Sequence, residues 1–181
     1  MPIFKKDGKR VLFVHIPKCG GTSIVEWFRN NEWIISKYES QNTEYPCTAQ
    51  HADLAIWQKW GKFDCIFSIV RHPLTRAISE ACYRGNEDYV RNFLVCAFHE
   101  YNQNPYYACN HIRPQYQFVN NQVNIFKFED NWQYQIRQLF KLKGECPHLK
   151  QSQSPTIPVS NQVKDIVKSF YTKDFEQFNY D

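Results

Sequence analysis

The chain has 181 residues, of which 43% are hydrophobic, 17% aromatic and 22% charged, and this composition is typical of a soluble globular protein. The length suits one domain with a sizeable core, so we predict a single domain over residues 1–181. The net charge of +4, with no long run of Lys or Arg, argues against a nucleic-acid partner and weakly favours an anionic ligand.

The seven cysteines form no C-x-x-C pair, which argues against a zinc site, and we expect no bound metal. Their odd number and the lack of an apolar secretory segment at the start predict reduced thiols and a cytoplasmic location. The longest apolar stretches, at 11–16 and 65–70, are far too short to cross a bilayer. We therefore expect no membrane insertion.

Strands and helices are predicted to alternate along the chain. Short apolar runs rich in β-branched residues predict buried strands at 11–16, 64–70 and 123–128. Helical spacing and capping signals predict helices at 22–30, 52–60, 74–83, 87–99, 131–140, 160–170 and 172–178. Loops are expected at 100–114 and 144–158. This order predicts an α/β fold with one parallel sheet flanked by helices, which binds ligands at the carboxyl ends of its strands.

The first strand leads into a helix through a glycine-rich turn, His-Ile-Pro-Lys-Cys-Gly-Gly-Thr-Ser at residues 15–23. Gly20 and Gly21 allow the backbone to approach a ligand closely, and the helix that follows presents N–H groups to an anion. Lys18 adds a mobile positive charge, and Thr22 and Ser23 add hydroxyl donors. The pattern predicts a phosphate-binding loop; the alternative is a simple tight turn with Lys18 in solvent.

This loop departs from the Walker A sequence, because its lysine precedes the glycines instead of following them. No Asp closes an apolar strand as in a magnesium-binding Walker B segment. A shorter loop of this kind would suit a donor with a single 5′-phosphosulfate and no Mg²⁺.

The second strand also ends in a candidate anion site, Ser-Ile-Val-Arg-His-Pro-Leu-Thr-Arg-Ala-Ile-Ser at residues 68–79. Arg71 leaves the sheet on the same edge as the first loop, and Ser79 follows about two helical turns later. A guanidinium fork and a hydroxyl can together bind one phosphate. Arg71 in solvent is the alternative, and the prediction gains its force from the pairing with the first motif.

Together the two segments resemble the sulfotransferases that use 3′-phosphoadenosine-5′-phosphosulfate (PAPS), in particular the carbohydrate sulfotransferases. Further segments are similar to that family at 111–115, 126–129 and 171–178. His72 departs from the family's usual Asp or Asn, and Cys19 occupies a variable position. The resemblance implies a P-loop NTPase-like sulfotransferase fold, adenosine 3′,5′-bisphosphate (PAP) as product, and a small-molecule or glycan acceptor. The residues it implies in PAPS binding are Lys18, Cys19, Gly20, Gly21, Thr22, Ser23, Arg71 and Ser79.

Transfer to a hydroxyl needs charge stabilisation and a base. Lys18 is expected to balance the charge on the departing phosphate. Some family members place a catalytic histidine shortly before the arginine motif, so His51 is predicted as the base. His111, in the long polar loop, is the rival, although it could instead hold substrate or brace the loop, and Glu129 is a third possibility.

Aromatic and amide side chains alternate at 101–107, where they could bind sugar rings or form an ordinary tyrosine-rich loop. Three other functions stay open. The chain could be a P-loop kinase or nucleotidase, for which the lysine is misplaced. It could be a non-catalytic PAPS- or PAP-binding protein. It could also be a general anion-binding or scaffold protein.

Overall fold

The computed structural model describes residues 1–38, 45–86, 89–149 and 159–181. Within them, five strands form one mixed sheet in the spatial order β3-β1-β2-β4-β5. The strands are β1 (Ile3–Lys6), β2 (Lys9–Val14), β3 (Ile34–Ser36), β4 (Cys65–Val70) and β5 (Asn124–Lys127). The helices are α1 (Gly21–Asn30), α2 (Leu54–Trp57), α3 (Pro73–Tyr83), α4 (Val90–Gln103), α5 (Trp132–Phe140), α6 (Asn161–Phe170) and α7 (Thr172–Gln177).

The α/β class and the three predicted strands are confirmed, with β2, β4 and β5 parallel to one another. The prediction that the whole sheet is parallel is wrong, because β1 pairs antiparallel with both β2 and β3. The charged opening of the chain forms a hairpin through Asp7 and Gly8, whose φ angles of 49° and 75° are both positive. An Asp-Gly pair is a strong hairpin signal, since such a turn requires positive φ at both central residues.

Most predicted helices are present with small shifts at their ends. Ser160 caps α6 as predicted, because its side chain accepts a hydrogen bond from the Val163 N–H. The predicted helix at 52–60 is only one α-turn followed by a 3₁₀ turn at Gln58–Trp60. The loop predicted from residue 100 is wrong at its start, since α4 continues to Gln103. Residues 87–88 of the fourth predicted helix and 150–158 of the last predicted loop lie outside the described residues.

Two apolar clusters support the sheet edge at which the ligand motifs lie. In the larger one, the rings of Phe4 and Phe28 stack at 4.0 Å, and those of Phe13 and Phe67 at 4.9 Å, between the sheet and α1. The smaller cluster joins α3, α4, α6 and α7. Since β2 and β4 are hydrogen-bonded neighbours in parallel register, their carboxyl ends lie side by side, and so do the two motifs that follow them.

Candidate functional site

A cavity of about 740 Å³ opens at the carboxyl ends of β2 and β4. It is lined by residues of both predicted motifs, by two of the three predicted base candidates and by aromatic side chains from the β5–α5 region. The predicted site residues that line it are Lys18, Gly20, Gly21, Thr22, Ser23, Arg71, Ser79, His51 and His111. The two motifs therefore face one space, as the sequence predicted.

The first loop turns sharply before α1. Lys18 and Gly20 have φ angles of 68° and 80°, and Gly20 is the N-cap residue of α1. A glycine has no side chain with which to cap the helix, so the first-turn N–H groups are available to an anion or to water. At Gly21 an added Cβ would lie 1.8 Å from Nε2 of His15, so this glycine is required by the imidazole that lies against it. The two glycines thus bring the backbone of the loop into the cavity lining, beside Lys18 and Thr22.

Arg71 joins the second motif to the first. Its Nη1 donates a hydrogen bond to the backbone oxygen of Lys18 at 3.2 Å, and its Nε donates to Thr75 Oγ1 at 3.1 Å. The guanidinium also lies 4.7 Å from the centre of the Phe128 ring. These contacts hold one positive group beside the first loop, at the wall of the cavity. The ammonium of Lys18 lies 4.0 Å from the centre of the Tyr83 ring, at the end of α3.

Gln115, which the sequence analysis quoted only as part of a family segment, fixes the position of Arg71. Its Oε1 accepts the Arg71 N–H at 2.9 Å, and its Nε2 donates to the Arg71 carbonyl at 2.8 Å. The Gln115 side chain is fully buried. Asp174, also fully buried, in turn accepts the backbone N–H groups of Gln115 and Tyr116 at 2.8 and 2.9 Å. The C-terminal segment thereby braces the end of β4.

Cys19 takes a different position from the other loop residues. It does not line the cavity; its thiol lies 1% exposed and donates to Gln115 Oε1 at 3.5 Å. Burial raises the pKa of this thiol to about 12, so it stays protonated and is not a nucleophile at neutral pH. The Cys19 side chain, predicted as part of the cofactor site, is thus buried outside the cavity lining.

Arg76 is a second brace that the sequence analysis did not single out. Its guanidinium is buried and donates to the carbonyl oxygens of Pro17, His111 and Arg113 at 3.1, 2.8 and 3.0 Å. It therefore ties the first loop to the segment that carries His111. Arg76 does not line the cavity, so its hydrogen bonds to three carbonyl oxygens indicate a structural role.

The rings of three histidines lie in contact in the wall of the cavity. The ring of His51 meets those of His15 and His111 edge-on, with centroid distances of 5.0 and 4.8 Å. His15 and His51 are both buried, and each is 6% exposed. Burial lowers the pKa of His51 well below its ordinary value of 6.5, and His15 and His111 lower it further. His51 is therefore neutral at physiological pH and a weak proton acceptor.

His111 has a carboxylate partner that the sequence analysis did not identify. Glu80, on α3, is 2% exposed, and its Oε2 lies 2.7 Å from His111 Nδ1. Its Oε1 accepts from Arg84 Nε at 2.9 Å. Burial on its own would raise the pKa of Glu80, but the hydrogen bonds from His111 and Arg84 bring it below its ordinary value of 4.5. The carboxylate is thus ionised at neutral pH.

The remaining sequence candidates lie elsewhere. Glu129 accepts from the His72 N–H at 2.9 Å and from the Tyr180 hydroxyl at 2.9 Å, and it does not line the cavity. His72 takes over the capping role of an Asp or Asn, because its Nδ1 accepts the Leu74 N–H at 3.2 Å at the start of α3. This departure from the family pattern therefore leaves the helix start capped.

The aromatic and amide segment at 101–107 does not face this cavity. Tyr101 and Asn102 line a separate groove between α4 and α6, which shares no lining residue with the cavity. Tyr106 packs against the Arg113 guanidinium at 4.7 Å. An acceptor bound over the two motifs would thus not contact this segment as it lies here.

Across 1–38, 45–86, 89–149 and 159–181, no group of three or more His, Cys, Asp or Glu side chains is arranged to hold a metal ion. None of the helices in these ranges is long and apolar enough to span a membrane.

Comparisons with known proteins add no relative. No family model matches the chain, and neither a curated protein nor a solved structure matches it.

Proposed function

We propose that this chain is a PAPS-dependent sulfotransferase that transfers a sulfuryl group to a hydroxyl of an acceptor, with a saccharide as the first class to test. We assign it, as part of the same proposal, the P-loop NTPase-like sulfotransferase fold. One observation carries the proposal: Arg71 Nη1 lies 3.2 Å from the Lys18 carbonyl, so both anion motifs open onto one cavity.

The chemistry of the lining fits an adenine nucleotide with two separate phosphate groups. The first loop offers backbone N–H groups, the Lys18 charge and the Thr22 hydroxyl for the 5′ end. Arg71 and Ser79, on the adjoining strand end and helix, offer a guanidinium and a hydroxyl for the 3′-phosphate. The partly exposed ring of Phe128 in the same wall provides an apolar surface for a base.

The proposed catalysis is positioning plus charge stabilisation, by analogy with phosphoryl transfer. Lys18 and the N-terminus of α1 would balance the charge that develops on the departing 5′-phosphate. A histidine in the wall of the cavity would take the proton of the acceptor hydroxyl. His51 and His111 are the two candidates, and both line the cavity.

Thermal-shift titration with PAP and with AMP tests the proposal without knowledge of the acceptor. At a hundredfold excess over Kd, we expect PAP to raise the melting temperature by roughly 5–10 °C, from a linkage free energy of about 2.7 kcal/mol. AMP, which lacks the 3′-phosphate, should give a much smaller shift. The Arg71→Ala variant should lose the preference for PAP over AMP, and Lys18→Ala should weaken binding of both.

Matched controls are Arg91→Ala and Lys164→Ala, which remove exposed charges from helices that do not line the cavity. Both should retain the wild-type response to PAP. A wild-type protein that responds equally to PAP and AMP, or to neither, would contradict the proposal. Dependence of binding on Mg²⁺ would favour a P-loop kinase or nucleotidase instead.

A further inference from the structure

Glu80 lies outside every motif predicted from the sequence, yet its carboxylate is the most buried acid that contacts the cavity lining. It is 2% exposed and is held between two donors, His111 Nδ1 at 2.7 Å and Arg84 Nε at 2.9 Å. Burial of a carboxylate is costly in free energy unless both of its oxygens accept hydrogen bonds. The hydrogen bond from His111 therefore also restricts where the imidazole ring carries its proton.

The contact determines which ring nitrogen of His111 carries the proton. An ionised carboxylate can only accept hydrogen bonds, so the neutral imidazole must donate from Nδ1. Nε2 is then left as the nitrogen with a free lone pair. Glu80 contacts the ring at Nδ1, so the lone pair of Nε2 is on the side of the ring that Glu80 does not occupy. The ring itself lines the cavity. The same carboxylate stabilises the imidazolium that forms when Nε2 takes a proton.

Helix α3 holds His111 at two points. Glu80 lies in the interior of α3, one residue after Ser79, and Arg76 of the same helix donates to the His111 carbonyl at 2.8 Å. One helix therefore fixes both the main chain and the ring of His111. Within the described part of the chain, the partners of the His51 ring are His15, His111 and the Cys109 thiol, the last at 3.6 Å, and none of them is a carboxylate.

We propose that Glu80 is a positioning residue that holds His111 in the Nδ1–H tautomer and so makes His111 Nε2, not His51, the base of the reaction. The assignment rests on the proposed sulfotransferase function for its chemical step. In that step, Nε2 takes the proton of the acceptor hydroxyl as the acceptor oxygen bonds to sulfur. The bond from sulfur to the bridging oxygen breaks, and its electron pair leaves with the 5′-phosphate of PAP.

The sharpest perturbation is Glu80→Gln, because Arg84 determines how the new amide is oriented. Arg84 can only donate, so it retains the carbonyl oxygen of the glutamine. The amide NH₂ then faces His111 and donates to Nδ1, which forces the neutral ring into the Nε2–H tautomer. That tautomer has no lone pair at Nε2 for the acceptor proton. Glu80→Asp, which keeps the carboxylate, should restore part of the wild-type behaviour.

Long-range ¹H–¹⁵N NMR of the ring nitrogens, at a pH where the ring is neutral, tests the tautomer with no ligand present. The signal is assigned by its loss in His111→Asn. We expect a protonated Nδ1 in the wild type and a protonated Nε2 in Glu80→Gln, whereas the exposed control Glu100→Gln should match the wild type. A wild-type ring protonated at Nε2, or a tautomer unchanged in Glu80→Gln, would overturn the assignment of Glu80.

The catalytic consequence is measured with water as the acceptor, by release of PAP and sulfate from PAPS. We expect Glu80→Gln and His111→Asn to slow release by about 10²- to 10⁴-fold, and to leave PAP affinity within about twofold. Release at the wild-type rate in Glu80→Gln would refute the role of Glu80. A wild type that binds PAP but releases no PAP and sulfate from PAPS would instead refute the proposed transferase activity. The NMR result would still decide the tautomer in that case.

Discussion

Replacement of Gln115 by Met removes the two hydrogen bonds that hold the Arg71 peptide while nearly preserving side-chain volume. The Arg71 N–H and carbonyl then lose partners at 2.9 and 2.8 Å. A buried polar group left without a partner costs about 1–3 kcal/mol. Because these groups are partly reached by solvent, we expect the lower part of the range, about 2–3 kcal/mol in total. The Arg71 side chain should also lose its alignment with the first loop.

Urea denaturation measures the first effect, and calorimetric titration with PAP measures the second. We expect Gln115→Met to lower the free energy of unfolding by the amount above and to weaken PAP binding about tenfold, which corresponds to about 1.4 kcal/mol. Gln103→Met, at the exposed end of α4, is the matched control and should leave both quantities unchanged. A Gln115→Met variant as stable as the control, with undiminished PAP affinity, would refute the bracing role.

Two further predictions concern the starts of α1 and α3. Gly21→Ala should abolish PAP binding and lower stability, because its Cβ would overlap the His15 ring, and the added His15→Ala change should recover much of the lost stability in a double-mutant cycle. For α3, His72→Ala should lower the free energy of unfolding by about 0.5–2 kcal/mol, since it removes the cap on the Leu74 N–H. His72→Asn keeps an acceptor and should stay near the wild type in the same denaturation assay; equal losses in both variants would show that the imidazole is not a cap.

The ligand motifs could be predicted because they are local. Each lies at a junction between an apolar run and an amphipathic helix, and parallel strands place such junctions at one sheet edge. This reasoning predicted from the sequence that Lys18 and Arg71 lie close together. The same local reasoning missed β1 and β3. Both strands are short, with four and three residues, and their assignment depends on the neighbours with which they pair.

The sequence named His51 and His111 as candidates, but the contact between His111 and Glu80 could not be predicted in that way. His51, His111 and Glu80 are separated by tens of residues, and no local pattern links an acid in the interior of α3 with a histidine after a 3₁₀ turn. Gln115 and Asp174 show the same difficulty. Each was visible as part of a family-like segment, but the hydrogen bonds that explain them cross from one element to another.

The sequence by itself determined the α/β class, the three parallel strands and the two strand-end loops that line one cavity, because hydrophobic period and glycine placement act over a few neighbouring residues. Tertiary structure alone decided the pairing of β3 with β1, the inward turn of Cys19 and the pairing of Glu80 with His111. Those features arise where distant segments exclude water from shared polar groups, and such contacts depend on the packing of the whole chain.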